Sequence, residues 1–135
     1  MKLIILSDVF YSNYGNYPEV LKKTDRPYYC ISLRIEGHQF AIPLRHHINH
    51  AYAFKTIGEA GLDYTKAVLI DNEAFVSDEN PTIDTREWRI IRSNADAIYK
   101  GFHKYYRQFI RALSKPNNPR SIRLIKYSAL QYFKL

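Results

Sequence analysis

Cysteine, long apolar runs and, in the second half of the chain, acidic residues are scarce in this sequence. The single cysteine, Cys30, excludes an intramolecular disulfide and any zinc module built on several cysteines, and it is typical of a reducing cytoplasm. No apolar run approaches the roughly 20 residues of a membrane-spanning helix. The apolar run at the N-terminus stops at Ser7, which is too early for a secretory signal. These absences predict a soluble cytoplasmic protein without a membrane partner.

Apolar and aromatic residues are plentiful, because 46% of the 135 residues are hydrophobic and 15% are aromatic. These fractions are ample for a packed core, and they argue against disorder. The length suits one compact domain, so we expect residues 1–135 to form a single domain.

The net charge of +7 is distributed unevenly along the chain. Residues 1–85 contain eight Lys or Arg and eleven Asp or Glu, whereas residues 86–135 contain twelve basic residues and only two acidic ones. This asymmetry indicates a polyanionic partner, either a nucleic acid or an anionic membrane surface. We favour nucleic acid, because no lipidation signal is present and the apolar residues of the basic half have the spacing of a core-facing helix.

The first half of the sequence favours short strands. Apolar and β-branched runs predict strands over residues 2–6, 28–35, 38–42 and 66–70, with residues 74–76 pairing nearby. The Glu36-Gly37 pair predicts a hairpin turn, and Pro43 is expected to end regular pairing because proline lacks the ladder donor. Residues 7–18 are expected to form a tyrosine-rich loop. Residues 46–61 are expected to form a loop with one helical turn.

The second half of the sequence favours helices. Apolar residues at 3,4 spacing from Trp88 to Leu113 predict one helix of about seven turns, capped by Asp84 or Thr85, with a kink at Gly101. After a break at residues 115–119, a shorter helix is expected to start at Asn118 and to bury Ile122, Ile125, Ala129 and Phe133. The expected fold class is therefore α+β: a small twisted, mostly antiparallel sheet, a long basic amphipathic helix and a short C-terminal helix.

One segment, residues 45–50, combines an arginine with three histidines: Arg45, His46, His47 and His50. Side chains of this kind suit acid/base cleavage of a phosphodiester. A neutral imidazole can take the proton of a ribose 2′-hydroxyl, and an imidazolium can protonate the leaving 5′-oxygen. Arg45 would offset the charge that develops in the transition state. This chemistry needs no metal and leaves a 2′,3′-cyclic phosphate.

Two other interpretations of the same segment stay open. His47 and His50 could share a helical face and bind a metal, although no carboxylate lies close by in sequence. The histidines could also serve only as hydrogen-bond caps in a solvated polar loop.

Further candidate RNA-binding residues lie on both sides of this segment. Arg26 could clamp a phosphate at the start of the aromatic strand, or form a surface ion pair with Asp25 or Glu19. Tyrosines can stack on unpaired bases, although each could equally serve the core. On the predicted helices, few acidic residues accompany the basic ones, so contact with a nucleic-acid backbone is favoured over a merely solvated face. The basic residues concerned are Lys100, Lys104, Arg107, Arg111, Arg120 and Arg123.

Three segments, taken in order, resemble a known family. Residues 29–44 (YCISLRIEGHQFAIPL) resemble the I.L.I.GH.Y..PL core of the type III toxin–antitoxin toxins, the ToxN/AbiQ family of endoribonucleases. Residues 61–70 (GLDYTKAVLI) are similar to the returning strand of that family. Residues 87–98 (EWRIIRSNADAI), which include Arg92, resemble its F.R.NSD.I helix. The short chain and its histidine-rich loop are most similar to the TenpN branch.

The resemblance implies a core like that of the MazF/Kid toxins and metal-independent cleavage of single-stranded RNA. It further implies inhibition by a repeated pseudoknot RNA antitoxin, which the toxin itself cuts from a longer transcript. Toxin and antitoxin RNA would form a closed hetero-oligomer, and the biological role would be growth arrest and abortive infection in phage defence. No metal, cofactor or small-molecule ligand is expected.

The chain departs from the better-known branch of the family at the expected active site. Arg45 and His46 occupy positions that carry hydroxyl groups in that branch, and His47 stands where a lysine would be. Arg26 matches an earlier basic position. We therefore expect His46 to act as general base or acid, His47 as its alternate or partner, and Arg45 and Arg26 as phosphate stabilisers.

The remaining expected contacts position the RNA. Tyr28 or Tyr29 would position the substrate, and Arg92 would join the basic residues that contact RNA. The alternative to a toxin is a non-catalytic RNA- or DNA-binding module, which would account for the charge and the aromatic residues alone.

Overall fold

The computed structural model describes residues 1–22 and 28–135. Its strands are β1 (Lys2–Ile5), β2 (Tyr29–Ile35), β3 (His38–Arg45), β4 (Ala53–Lys55), β5 (Gly61–Asp63) and β6 (Val68–Leu69). Its helices are α1 (Asp8–Tyr14), α2 (Thr85–Ser93), α3 (Ala95–Leu113) and α4 (Pro119–Lys126), with short 3₁₀ helices at Tyr64–Lys66, Glu73–Phe75 and Ala129–Tyr132. The strands pair in the order β1-β2-β3-β5-β4, and β6 pairs with β3 beside β5. All described pairs are antiparallel, so the α+β class with a mostly antiparallel sheet is confirmed.

The predicted β2–β3 hairpin is present and forms the centre of the sheet. Its two turn residues, Glu36 and Gly37, have φ angles of 48° and 84°, which is the turn geometry that matches the twist of a two-residue hairpin. Pairing extends from Ile35 opposite His38 to Cys30 opposite Pro43.

The expectation that Pro43 ends pairing is wrong, because β3 continues to Arg45. From the two-residue turn, hydrogen-bonded pairs alternate with non-hydrogen-bonded ones, and Pro43 occupies a non-hydrogen-bonded position toward β2. On its other edge, β3 pairs with β6 through Phe40 and Ala41 and with β5 through Leu44 and Arg45. The backbone nitrogen of Pro43, which carries no hydrogen, therefore faces the gap between β6 and β5.

The main core lies between one face of the sheet and α3. Ile31 and Phe40 of the sheet and Phe102 of α3 are fully buried, and the rings of Phe40 and Phe102 are 5.2 Å apart. A second apolar cluster on the other face of the sheet packs around Phe10 of α1. That cluster contains Cys30, and burial raises the pKa of its thiol to about 12.

The expectation of a loop at residues 7–18 is wrong, because these residues include α1. Ser7 caps the helix by accepting a hydrogen bond from the Phe10 backbone N–H, and Asp8 places a negative charge in the first turn. The ring of Tyr14, in the helix, lies 4.7 Å from that of Phe133, and the ring of Tyr17, which follows the helix, stacks on that of Tyr132 at 4.5 Å. The high tyrosine content of this segment therefore reflects packing.

Two other first-half expectations need correction. Residues 46–61 contain β4 and the turn to β5, in place of the expected helical turn, and the hairpin is closed by the Thr56 N–H donating to the Ala60 carbonyl at 2.9 Å. The strand expected over residues 66–70 is shortened to Val68–Leu69, because Lys66 ends a 3₁₀ helix. Near residues 74–76, Val76 forms an isolated antiparallel bridge with Leu6.

The predicted long helix is two helices, separated at Asn94. The side chain of Asn94 donates to the Ile90 carbonyl at 2.7 Å, so it competes with the backbone pattern at the break. Gly101 lies within α3, which continues through this position without a break. Asp84 caps α2 as expected, and the hydrogen bonds from the Glu87 and Arg86 backbone N–H groups lower the pKa of its carboxyl.

The predicted C-terminal helix is confirmed as α4, with Asn118 as cap and Pro119 in the first turn. The prediction that Ile122 is buried is wrong, because 53% of it is exposed. Ile125 and Phe133 are half-buried, and Ala129 is fully buried in a 3₁₀ helix that follows α4. None of the described helices is both long and apolar enough to cross a membrane.

Candidate functional site

A cationic cleft lies where β3 and β5 end, between the loop after β3 and helix α4. Its volume is about 670 Å³, within the range of about 300–1,000 Å³ that is typical of ligand sites. The cleft is lined by the cations Arg45, Lys66, Arg120 and Arg123 together with Asn49, His50, Tyr52, Thr65, Leu124 and Tyr127. Four positive side chains around one opening favour the approach of anions.

The carboxylate of Asp63 organises the floor beside this cleft. Its side chain is fully buried, and its Oδ2 accepts a hydrogen bond from Arg45 Nη1 at 2.8 Å. Its Oδ1 accepts from the backbone N–H of Thr65 at 3.0 Å and from the Thr65 hydroxyl at 2.6 Å. A buried carboxylate needs such partners, because desolvation of an unpaired charge is costly. Asp63 thereby fixes the position of Arg45, of which 31% of the side chain stays exposed.

His50 is held at the same carboxylate. Its Nδ1 accepts a hydrogen bond from the Tyr52 backbone N–H at 3.1 Å, so in the neutral ring Nε2 carries the proton. Nε2 lies 3.1 Å from Asp63 Oδ1, yet it is buried without a well-aligned hydrogen bond to any described residue. The contact is therefore an electrostatic attraction between the Nε2–H group and the carboxylate. Both ring nitrogens face protein groups, which makes His50 a positioning residue.

The two other histidines of the segment face solvent. His46 directly follows Arg45 and is exposed. His47 has 88% of its side chain exposed, and its Nδ1 lies 3.3 Å from Glu59 Oε2, so its other ring nitrogen is free. Neither residue lines the cleft. The structure thus places Arg45 in the lining of the cleft and leaves the exposed His46 and His47 outside that lining.

The open alternative of a metal site would require His47 and His50 to converge. The structure separates them, because His50 contacts Asp63 while His47 contacts Glu59. Within residues 1–22 and 28–135, no group of three or more His, Cys, Asp or Glu side chains is arranged to hold a metal ion.

Of the expected residues around β2, the described ones, Tyr28 and Tyr29, do not line the cleft. Arg26 lies outside the described residues. Tyr29 is the first residue of β2 and pairs with Ile5 of β1, and Tyr28 immediately precedes it. Both tyrosines are half-buried.

The basic residues of α3 form a separate surface. Lys100, Lys104, Arg107 and Arg111 are all exposed, and we call them the α3 stripe. Arg107 Nε lies 2.7 Å from Glu36 Oε2, and His103 Nε2 lies 2.9 Å from the same oxygen. The hydrogen bond with His103 and the charge of Arg107 lower the pKa of the Glu36 carboxyl. One cation of the α3 stripe is thus paired with the β2–β3 turn.

Arg92 lies on a surface that is separate from both the cleft and the α3 stripe. It is exposed on α2 and borders a shallow hollow of about 410 Å³ together with Thr85, Trp88 and Arg89. The structure therefore joins Arg45, Arg120 and Arg123 in one cleft, and it separates them from Arg92 and from the α3 stripe.

Several residues of the cleft were missed from the sequence. Asp63, Thr65, Lys66, Tyr52 and Tyr127 were not expected to act together, because the β4–β5 hairpin was not predicted. One signal was available for Asp63, since an acidic residue between Leu62 and Tyr64 in an otherwise apolar run indicates a buried carboxylate with a cationic partner.

No family model matches the chain, and no significant similarity to a curated protein or to a solved structure is found.

Proposed function

We propose that the protein is a metal-independent endoribonuclease that cleaves single-stranded RNA at the cationic cleft. The observation that carries this proposal is the arrangement of Arg45, which is fixed on buried Asp63 and exposed to the cleft, with His46 directly beside it in sequence. The anchored guanidinium can bind a phosphate, and the exposed imidazole that follows it in sequence can transfer a proton.

The proposed reaction is an internal transesterification. An imidazole, assigned to His46, removes the proton of the ribose 2′-hydroxyl, and the 2′-oxygen forms a bond to the neighbouring phosphorus. The bond from phosphorus to the 5′-oxygen breaks, and that oxygen takes a proton from an imidazolium, for which His47 is the candidate. The products are a 2′,3′-cyclic phosphate and a 5′-hydroxyl. Arg45 stabilises the charge on the phosphoryl oxygens as the transition state forms.

The biological setting that we propose is a cytoplasmic type III toxin–antitoxin system of the TenpN branch. Support comes from the three segments that resemble the family, since they lie on β2–β3, on β5 with the following chain to β6, and on α2–α3. In this setting, the protein has a MazF/Kid-like core and is inhibited by a repeated pseudoknot RNA that it processes itself. It forms a closed complex with that RNA, and its activity causes growth arrest during phage infection.

Incubation of the purified protein with single-stranded RNAs of varied sequence in EDTA tests the enzymatic proposal. We expect cleavage in the presence of the chelator, with cyclic-phosphate ends that resist ligation until they are opened and dephosphorylated. Loss of cleavage in EDTA would contradict a metal-independent mechanism. RNA binding without cleavage on any substrate would favour the alternative, a non-catalytic RNA-binding module.

A further inference from the structure

Helix α4 presents one continuous stripe of side chains to the cleft. Arg120, Arg123, Leu124 and Tyr127 all line it, and their spacings of three, four and seven residues place them on one helical face. The stripe includes Tyr127, which directly follows the last residue of α4. One wall of the cleft is thus two guanidiniums followed by an aromatic ring.

The two arginines of this wall are the cations that remain free for a ligand. Arg45 is paired with Asp63, and Lys66 Nζ donates to Glu19 Oε1 at 2.8 Å. Arg120 and Arg123 are exposed, and neither forms an ion pair with a carboxylate of the described residues. Because their charges are not offset locally, the α4 wall is the part of the cleft with the strongest attraction for an anion.

The side chain of Tyr127 is not packed in the core. Fifty-two per cent of the residue is accessible, although its backbone is fixed, since its carbonyl accepts from Lys66 Nζ at 3.1 Å and its N–H donates to the Arg123 carbonyl. Lys126 Nζ lies 5.4 Å from the ring centroid, over one face. An accessible aromatic ring beside free arginines is the arrangement with which proteins bind unpaired nucleotides, because bases stack on the ring while the cations contact the phosphates.

We propose that Arg120, Arg123 and Tyr127 form a second nucleotide subsite for single-stranded RNA. The two guanidiniums bind the phosphodiester next to the one that is cleaved, and Tyr127 stacks on the base attached to it. This inference rests on the proposed function, since it takes the phosphate at Arg45 as the cleaved one. The cleft volume of about 670 Å³ suits a short unpaired segment.

Binding of an uncleavable RNA analogue tests the subsite apart from the reaction. The probe is a fluorescent, fully 2′-deoxy-substituted single-stranded oligonucleotide with uracil bases, which lacks the attacking hydroxyl, and the readout is fluorescence anisotropy at several salt concentrations. Tyr127→Ala is expected to weaken binding about 5- to 100-fold, whereas Tyr127→Phe retains the stacking surface and should bind as the wild type does. The double variant Arg120→Gln/Arg123→Gln loses the contact with one phosphate. The slope of the logarithm of the binding constant against the logarithm of the salt concentration should therefore become smaller in magnitude by about 0.7.

A charge-matched control separates this effect from the general loss of positive charge. Arg86→Gln/Lys134→Gln removes two exposed cations that do not line the cleft, and it should change affinity and salt slope less than the α4 pair does. Thermal unfolding followed by circular dichroism verifies that each variant is folded. Equal affinities of Tyr127→Ala and the wild type, or equal effects of the two double variants, would overturn the subsite.

Cleavage of the corresponding RNA distinguishes failure of the subsite from failure of the proposed function. If the subsite is correct, the α4 variants should raise KM with a smaller change in kcat. Cleavage by the wild type with unchanged KM in the α4 variants would overturn the subsite and leave the enzyme proposal standing. Absence of cleavage by the wild type, with weakened analogue binding in the variants, would overturn the enzyme and support the subsite as a binding site.

Discussion

Asp63 is the residue on which the geometry of the cleft depends. Its Oδ2 accepts a hydrogen bond from Arg45, and its Oδ1 accepts from the backbone N–H and hydroxyl of Thr65 and lies 3.1 Å from His50 Nε2. A carboxylate in that position keeps Arg45 extended toward the cleft in the absence of RNA. The guanidinium is therefore already ordered in the folded protein, so less conformational entropy is lost when a phosphate binds.

Asp63→Asn is expected to destabilise the protein by about 3 kcal/mol, because the amide has one acceptor oxygen where the carboxylate uses two, and the partly buried Arg45 loses its counter-charge. Urea unfolding followed by circular dichroism measures the change. Asp78→Asn, at an exposed carboxylate, is the matched control and should change the free energy of unfolding by less than about 0.5 kcal/mol. Equal stabilities of the two variants would show that the Asp63–Arg45 pair is not structurally important.

The histidines near the cleft are expected to differ in their contributions to cleavage. His46→Ala should lower kcat by about 100-fold or more, because it removes the assigned proton acceptor, while the protein still folds and binds RNA. His50→Asn keeps an acceptor for the Tyr52 N–H and should cause a smaller loss. Single-turnover cleavage rates compare the two variants, and a larger loss in His50→Asn would transfer the acid/base role to His50.

Tyr64 is expected to contribute a pH dependence to stability. Burial raises the pKa of its phenol from 10.0 to about 12. The folded state therefore holds this proton more tightly than the unfolded state does, so the associated stability is complete below pH 10 and is lost as the pH rises toward 12. Urea unfolding between pH 9 and 12 should show a shallower decline in Tyr64→Phe than in the wild type. Burial also raises the pKa of Tyr105, but that contribution to the decline is the same in both proteins. Parallel declines in the free energy of unfolding would therefore contradict the assignment to Tyr64.

At the scale of elements, α3 is positioned on the sheet by a close approach at Gly101. A Cβ added there would lie 2.5 Å from the Tyr64 hydroxyl oxygen and 3.2 Å from the ring carbon Cζ. Glycine is therefore needed in mid-helix for contact with the 3₁₀ helix that follows β5, although it lowers helix propensity.

Gly101→Ala is expected to destabilise the protein by about 1 kcal/mol, since overpacking of about 1–3 kcal/mol exceeds the gain of about 1 kcal/mol in helix propensity. In a Tyr64→Phe background, the nearest atom is gone and the same substitution should be close to neutral. A double-mutant cycle measured by urea unfolding gives the coupling between the two positions. Additive effects would mean that the helix moves away from Tyr64 freely.

Elements with local signals were predictable from the sequence, and those that depend on distant contacts were not. The β2–β3 hairpin follows from Glu36-Gly37 between two apolar runs, and the starts of α2 and α4 follow from Asp84 and Asn118. The hairpin of β4 and β5 has strands of only three residues, and Phe54 pairs with Leu62 without a distinct alternating pattern. The cleft depends on that hairpin, so Arg45 was recognised as a candidate while its partner Asp63 was not.

At the scale of the whole molecule, the positive charge of the second half is spread over separate surfaces, which include the cleft, the α3 stripe and the surface of α2 around Arg92. Arg120 and Arg123 face the cleft, whereas the α3 stripe lies on another helix and does not line it. We expect the α3 stripe to contact the backbone of longer RNAs, such as the proposed antitoxin, beyond the nucleotides held in the cleft.

Lys100→Gln/Lys104→Gln is therefore expected to weaken binding of a long RNA more than binding of a short oligonucleotide. Each lost phosphate contact should reduce the salt slope by about 0.7 if that part of the RNA is single-stranded. Filter binding with both RNAs at several salt concentrations measures the difference, with Arg86→Gln/Lys134→Gln as control. The same loss for both RNA lengths would place these lysines near the cleft.

The position of Pro43 has a consequence for local opening of the structure. Among the described strands, the β4–β5 ribbon pairs with the rest of the sheet only through the end of β3, where Leu44 and Arg45 pair with Leu62 and Gly61, and the proline interrupts the edge of β3 that β5 and β6 share. The β4–β5 ribbon can therefore exchange its amide hydrogens with solvent by opening separately, while the pairs of β3 with β2 stay closed. Because Arg45 lies at the end of β3 that pairs with β5, RNA bound in the cleft should slow hydrogen exchange in that ribbon.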